Sequence, residues 1–336
     1  MKAFKLVVTG VGHVGSYVLA DAMKAGLFAE IAVIDVLENV ARGEALDQWQ
    51  ATGVGTLGGT RVHAGSPADY ADADVVVVAA GPSILPDPDD PTGEPDRTLL
   101  TTVNAAVVRQ VMGEIAANTS DAVVIFITNP LDTIVYIAEN EFGYPAGRVF
   151  GTGTMLDSAR LRQFVAAACG VSPTAVSGYM MGEHGHTAFP VLSRLSVAGL
   201  AWDELPAVFG DGVRLDPEHV RRQVVKAAFD VLNGKGWTNA GVAQAAVQLA
   251  RAVLLDEQGI YPVSSTLRGE YGHDGDVALS LPTLIGRRGI ERRIPVALDA
   301  WERDHLADSI SYIQQAMAEA GTPRSGSLVA PRAGAS

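Results

Sequence analysis

What most constrains this chain is the alternation of short β-branched runs with helix-length stretches through its first 150 residues. Phe4–Thr9 precedes a helical pattern over His13–Ala25, and Glu30–Asp35 precedes one over Val40–Ala51. Arg61–Ala64, Val75–Ala80, a helix over Thr98–Ala117 and Val123–Thr128 continue the series. Runs such as Val75–Ala80 carry no polar side, so both faces of each strand must be covered. Helical crossovers cover both faces of a parallel sheet, which predicts a doubly wound α/β unit over 1–150.

Beyond Gly151 the texture changes. A helix is expected over Leu156–Ala168, a strand-rich stretch over Ala175–Ser196, and helices over Pro217–Leu232 and Ala240–Asp256. Ile260–Leu267 and Val277–Ile285 read as a hairpin, followed by a last helix over Asp299–Ala320. Residues 151–321 therefore read as a second, α+β domain. The Ala/Gly/Ser/Pro tail at 322–336 has nothing to bury and is expected to be disordered.

Composition narrows the function classes. The chain has 336 residues and 48% hydrophobic content, enough for two cores. Its net charge of -13 repels a phosphate backbone or an anionic membrane surface, so neither nucleic acid nor membrane is an expected partner. No apolar run reaches the roughly 18 residues of a membrane helix, and the N-terminus lacks the apolar core of a signal peptide. A single cysteine, Cys169, fits a reducing compartment, and the cytoplasm is the expected location. The seven histidines, His63 among them, show no metal-ligand spacing with Glu183 or any other residue, and no metal is expected.

One motif points to a ligand. Gly10-Val11-Gly12-His13-Val14-Gly15 follows the first strand and opens the first helix. In such a turn the first glycine bends the chain, the second lets the backbone approach a pyrophosphate, and the third permits close helix-to-strand packing. Asp35 ends the second strand 20 residues after Gly15, where a carboxylate accepts from both ribose hydroxyls and repels a 2′-phosphate. The pattern predicts a Rossmann-type dinucleotide site preferring NAD over NADP.

A second constellation carries chemistry. Asp157 and Arg160 stand at i and i+3 in a helical pattern, hence on one face. Gly182-Glu183-His184-Gly185 sets a histidine between glycines at a turn. A histidine backed by a carboxylate can move a proton near neutral pH. Taken singly, each residue has a bland reading: a structural histidine and a surface ion pair. His186, two residues on, is expected on the other face of a strand and has no assigned role. Cys169 ends an apolar helix and reads as core rather than nucleophile.

Together, Gly10-x-Gly12-x-x-Gly15, Asp35, Thr128-Asn129-Pro130, Gly151-Thr152-Gly153-Thr154-Met155-Leu156-Asp157-Ser158-Ala159-Arg160 and Gly182-Glu183-His184-Gly185 resemble the lactate/malate dehydrogenase family from about residue 4 to about 318. Pro91-Thr92-Gly93-Glu94, Val231-Leu232-Asn233-Gly234-Lys235-Gly236-Trp237-Thr238 and Tyr312-Ile313-Gln314-Gln315 look most like its L-2-hydroxyisocaproate dehydrogenases. The resemblance implies an NAD-dependent L-2-hydroxy-acid dehydrogenase, homodimeric or homotetrameric, whose small-molecule substrate is a 2-oxo or 2-hydroxy acid. The helices Val40–Ala51 and Ala240–Leu255 are the expected contact surfaces between copies.

The resemblance also implies roles. His184, charged through Asp157, would exchange a proton with the substrate oxygen. Arg160 would hold the substrate carboxylate, Arg97 would polarise the carbonyl, and Asn129 would hydrogen-bond the same oxygen. Gly10, Gly12, His13, Val14, Gly15, Asp35, Ala80, Gly81, Asn104, Thr128 and Asn129 would hold the cofactor. The five prolines of Gly81–Arg97 mark a long loop expected to close over the substrate with Arg97 at its end. The residue that reads the substrate side chain falls, by count, on Ile84, with Thr238 and Val242 lining the same pocket. An isoleucine there leaves a second carboxylate unpaired, at a cost of roughly several kcal/mol, which disfavours malate. It rewards branched side chains by about 0.8 kcal/mol per buried methylene, so a 2-oxoisocaproate-like acid is the expected substrate, with lactate and then malate activity as alternatives. Arg109, on the following helix, is expected to be surface charge only. A dinucleotide-binding module without catalysis is the reading of another class. The presence of Arg97, Asn129, Asp157, Arg160 and His184 together argues against it.

Overall fold

The computed structural model describes residues 4–55, 58–82, 97–210, 213 and 215–322. Six parallel strands form its centre: β1 (Phe4–Thr9), β2 (Phe28–Ile34), β3 (Arg61–Ala64), β4 (Val75–Val78), β5 (Val123–Phe126) and β6 (Val149–Gly151). They lie in the order β3-β2-β1-β4-β5-β6, so the direction of winding reverses between β1 and β4. In open α/β sheets, a crevice for ligands forms outside the carboxyl ends of the strands at such a switch point.

The chain beyond residue 151 extends the same sheet. Of its longer strands, β12 (Gly259–Arg268) joins β6 through Ser264 opposite Gly151, and β13 (Asp274–Gly286) and β14 (Gly289–Arg293) follow antiparallel. The stretch expected to be strand-rich holds only two-residue strands. β7 (Val176–Ser177), β10 (Ser196–Val197) and β11 (Leu200–Ala201) form one small sheet, while β8 (Met180–Met181) and β9 (Phe189–Pro190) form another.

Helices cover both faces of the large sheet. On one lie α1 (Gly15–Ala25), α2 (Glu38–Ala51) and α8 (Ala240–Leu255), which bury Val18, Leu19, Ala45 and Leu249 against Val8, Val33, Val77 and Ile125. On the other lie α3 (Arg97–Asn118), α4 (Leu131–Asn140) and α9 (Ala300–Glu319), packed on Val7, Val76, Phe126 and Leu279. A third core joins α5 (Met155–Cys169), α6 (Leu205–Phe209) and α7 (Pro217–Lys235) through Leu161, Met180, Leu205 and Val220.

Helix α4 has no counterpart among the elements expected from the sequence. Leu131 to Ala138 are all buried, and the β-branched run Thr133, Ile134 and Val135 reads as a strand former. Helix α8, expected as a contact surface between copies, has an inward role as well. It covers the sheet and buries Ala243, Ala246, Leu249 and Val253, so its apolar residues serve the chain's own core. Of the two helices nominated as contact surfaces, α2 presents Val40, Leu46 and Trp49 outward, and α8 presents Leu255 at its end. The expected tail, from residue 323 onward, lies outside the described residues.

Phe126 is fully buried at the centre of the sheet. Phe126→Ala should lower unfolding free energy by about 3–5 kcal/mol, read by urea denaturation.

Candidate active site

The glycine turn sits at the switch point. Gly10 has φ +84°, and a Cβ there would lie 2.7 Å from the backbone of Ala80 at the end of β4. Gly15 is as constrained, because its Cβ would run into the Gly10 carbonyl oxygen, whereas Gly12 has open space before it. Asp35 braces the loop: its carboxylate accepts from the backbone N–H of Val11 at 2.8 Å and of Leu37 at 2.9 Å. Nearby, the Thr128 hydroxyl donates to the Ala80 carbonyl at 2.8 Å.

These features suit a dinucleotide. An unobstructed Gly12 backbone at the amino end of α1 can receive a pyrophosphate, and the carboxylate at the end of β2 can receive ribose hydroxyls. Asn104 is fully buried, and its amide donates to the carbonyls of Asn129 at 2.6 Å and Pro82 at 3.0 Å. Its Oδ1 has no hydrogen-bond partner among the described residues. Asn104 thus grips the chain on either side of the crevice.

The proton-handling group is built from three elements. After β6, Gly153 adopts φ +55° against the backbone of β12, turning the chain into α5. The first turn of α5 is sewn to β8, because the Thr154 hydroxyl donates to the Met180 carbonyl at 2.7 Å and the Met180 N–H donates to Ser158 Oγ at 2.9 Å. The turn between β8 and β9 then carries His184 to Asp157. His184 Nδ1 lies 2.7 Å from Asp157 Oδ2, and Arg160 Nη1 lies 2.8 Å from Asp157 Oδ1. An ionised carboxylate only accepts, so Nδ1 carries the hydrogen and Nε2 is left to exchange a proton with a ligand.

Burial opposes a charge on this imidazole, but Asp157, with Asp132 and Glu183 beyond it, outweighs burial and raises the His184 pKa to about 9. Burial likewise opposes the charge on Asp157, yet His184 and Arg160 hold its carboxyl below the usual range. The pair is an imidazolium and a carboxylate at neutral pH.

A second carboxylate behind the histidine was not singled out from the sequence. Asp132, on the first turn of α4, accepts the His184 backbone N–H at 2.7 Å and the hydroxyl of Ser264 on β12. Burial raises its pKa to about 7, against the hydrogen bonds it accepts. Its only sequence signal is its place two residues after Pro130, where the Asn129-Pro130 peptide is cis. The turn is closed further by Glu183, which accepts from the Thr187 N–H and hydroxyl, and by Ser309 of α9, which donates to the Thr187 carbonyl.

The remaining expected residues fall as follows. Thr238 is half-buried just before α8, and Val242 packs against the core beneath that helix. A Cβ on Gly241 would run into Leu156, so the start of α8 lies against the start of α5. Arg97 opens α3, with its side chain outside the described residues, as are Ile84 and the rest of the loop at 83–96. His186 lies in the turn and not on a strand; its ring faces Phe229, and its carbonyl accepts from Arg221. Arg109 does more than decorate the surface, because it forms a two-pronged pair with Glu141, at 2.7 and 2.8 Å, and donates to the Ala320 carbonyl. Cys169 packs on the third core, where burial pushes its thiol up. Glu30, His63 and Asp69 converge at the opposite end of the sheet, but Lys5 fills the same cluster, at 3.3 Å from Glu30 and 3.1 Å from Asp69.

The raised His184 pKa fixes a pH dependence. A step that consumes its proton should be pH-independent through neutrality and fall above about pH 9, while the reverse step should rise over the same range. Stability from the pair is complete below the unfolded value of 6.5 and is lost as pH climbs through 9. Asp157→Asn should move the break in the rate profile to lower pH. Asp132→Ala, which strands a buried hydroxyl and an amide, should cost about 1–3 kcal/mol per group in thermal or urea unfolding.

Comparison with known proteins accords with both halves of this arrangement. Residues 4–151 match the lactate/malate dehydrogenase NAD binding domain, and residues 154–322 match the lactate/malate dehydrogenase alpha/beta C-terminal domain. L-lactate dehydrogenase 2 of Clostridium acetobutylicum is 40% identical over 310 residues, covering 92% of this chain and 95% of its own. L-lactate dehydrogenase of Selenomonas ruminantium is 40% identical over 318 residues, covering 94% and 98%. Among solved structures, the lactate dehydrogenase MGS-M5 from a Medee basin deep-sea metagenome library superposes with a TM-score of 0.88 at 27% identity, covering 96% of this chain and all of that one. These relatives bear the name L-lactate dehydrogenase, which does not support the finer likeness to the L-2-hydroxyisocaproate enzymes. By the match of both domains and by identity along nearly its whole length, the chain belongs to the lactate/malate dehydrogenase family and is an NAD-dependent oxidoreductase.

Proposed function

We propose that this protein is an L-2-hydroxy-acid dehydrogenase for 2-oxo monocarboxylic acids, with pyruvate and L-lactate as its first pair. The observation that carries the reading is the single carboxylate of Asp157 shared between the His184 imidazole and the Arg160 guanidinium. A proton donor and an anion-binding fork are thereby held in fixed relation, which is what a 2-oxo acid requires: a carboxylate to grip and an adjacent ketone oxygen to protonate.

A nicotinamide cofactor held at the glycine turn would supply the hydride for the carbonyl carbon. His184 delivers its Nε2 proton to the carbonyl oxygen, so the ketone becomes an alcohol, and it takes the proton back in the oxidation direction. Arg160 orients the substrate through its carboxylate, a task for a planar fork rather than a point charge. Asn129 hydrogen-bonds the same oxygen, and Arg97 polarises it as negative charge develops. Closure of the 81–97 segment would exclude water from the site.

The names of the relatives favour pyruvate. Ile84, by its count from Gly81, favours a larger apolar side chain and is the reason to keep a 2-oxoisocaproate-like acid as the second reading. Both readings disfavour oxaloacetate. The outward apolar face of α2 suits a second copy of the chain, and the cytoplasm suits the cofactor. No helix among the described residues is long and apolar enough to cross a membrane.

His184→Asn and Arg160→Lys should each lower kcat/KM by roughly 10²–10⁴-fold while NADH still binds. Retained turnover in either variant overturns the assignment. NADH oxidation followed with pyruvate, oxaloacetate, 2-oxoisocaproate and phenylpyruvate in parallel separates the substrate readings. Preference for oxaloacetate would refute both.

A further inference from the structure

The glycine turn meets the link between α7 and α8 through an aromatic stack. The His13 imidazole stacks on the Trp237 indole with ring centroids 3.9 Å apart and planes 3° from parallel. Beside the stack, Asn239 donates its amide to the His13 carbonyl at 3.2 Å. The same asparagine is buried, caps α8 by accepting from the Ala240 N–H at 2.9 Å, and accepts from Lys235 Nζ at 2.6 Å. Lys235 in turn lies 5.9 Å above the ring of Tyr17 on α1. His13 and Tyr17 at the start of α1 are thus interlocked with Lys235, Trp237 and Asn239 in the link between α7 and α8.

Two facts make this contact more than packing. Gly12 and His13 are exposed, so the stack orders the outer side of the phosphate-binding turn, and a turn that is already ordered avoids the ordering cost of binding. Within the link, Thr238 stands between Trp237 and Asn239, so the residue expected to face the substrate side chain is flanked by the two that grip the cofactor turn.

We propose that Trp237 is a positioning residue that locks the cofactor's phosphate-binding turn to the substrate-facing link, so that one contact organises both binding sites. The proposal rests on the function assigned above, since it takes Thr238 as a substrate-side residue. It predicts thermodynamic reciprocity: a ligand that orders the turn also orders the link, and the reverse.

Trp237→Ala, His13→Ala, their double variant and Trp237→Phe test it, with NADH affinity measured by calorimetry and 2-oxo acid KM measured at saturating NADH. Loss of the stack should weaken NADH by roughly fivefold or more and raise the substrate KM by a similar factor, with a smaller effect on kcat. Trp237→Phe should restore most of both, and the double variant should be no worse than either single one. The proposal is overturned if Trp237→Ala leaves both constants within about twofold of native, or weakens NADH while the substrate KM stays put. It is also overturned if the two alanine substitutions add independently. If the native protein itself fails to bind NADH or turn over any 2-oxo acid, the functional assignment falls instead.

Discussion

The arrangement turns on one buried carboxylate. Asp157 accepts from His184 on one oxygen and from Arg160 on the other, so the imidazole and the guanidinium are placed by a single group. An ionised carboxylate in a buried position is costly unless paired, and here two cations pair it. The cost of burying any one of the three charges makes each dependent on the others. The same dependence keeps the imidazole protonated at neutral pH although burial works against it.

Such a triad needs a rigid frame, because its members come from distant parts of the chain. Thr154 and Ser158 tie the start of α5 to β8, while Asp132 ties the histidine turn to α4 and, through Ser264, to β12. β12 itself continues the parallel sheet through β6. The cofactor crevice at the switch point and the proton-handling site therefore stand on one sheet, and the contact of His13 with Trp237 bridges them on the outer side. Hydride transfer demands that the two ligands meet within van der Waals distance, and a shared sheet supplies that constancy.

Much was legible in the residues themselves. The central strands of the parallel sheet betray themselves by their β-branched apolar runs, and the glycine turn by three glycines whose spacing has no easy substitute: two of them would collide with neighbouring backbone if they carried a side chain. His184, Asp157 and Arg160 are recognisable because their motif is dense in residue types rarely found together. Helix α4 was illegible because its β-branched run Thr133, Ile134 and Val135 reads as a strand, and Asp132 because a lone aspartate in an apolar stretch has no local partner to announce it. Arg109 misled for a similar reason, since its partner Glu141 lies 32 residues away.

The sequence by itself determined what depends on near neighbours: which segments are strands or helices, where the chain can turn tightly, and which side chains can carry a proton, a carboxylate or a phosphate. Only the tertiary structure decided which of those groups meet. The 27 residues between Asp157 and His184, the 52 between Asp132 and His184 and the 226 between His13 and Asn239 are closed by packing of the sheet and its helices, not by local preference. Tertiary packing then sets the His184 pKa, because Asp157 and Asp132, brought to it from elsewhere in the chain, raise it against the burial that opposes its charge.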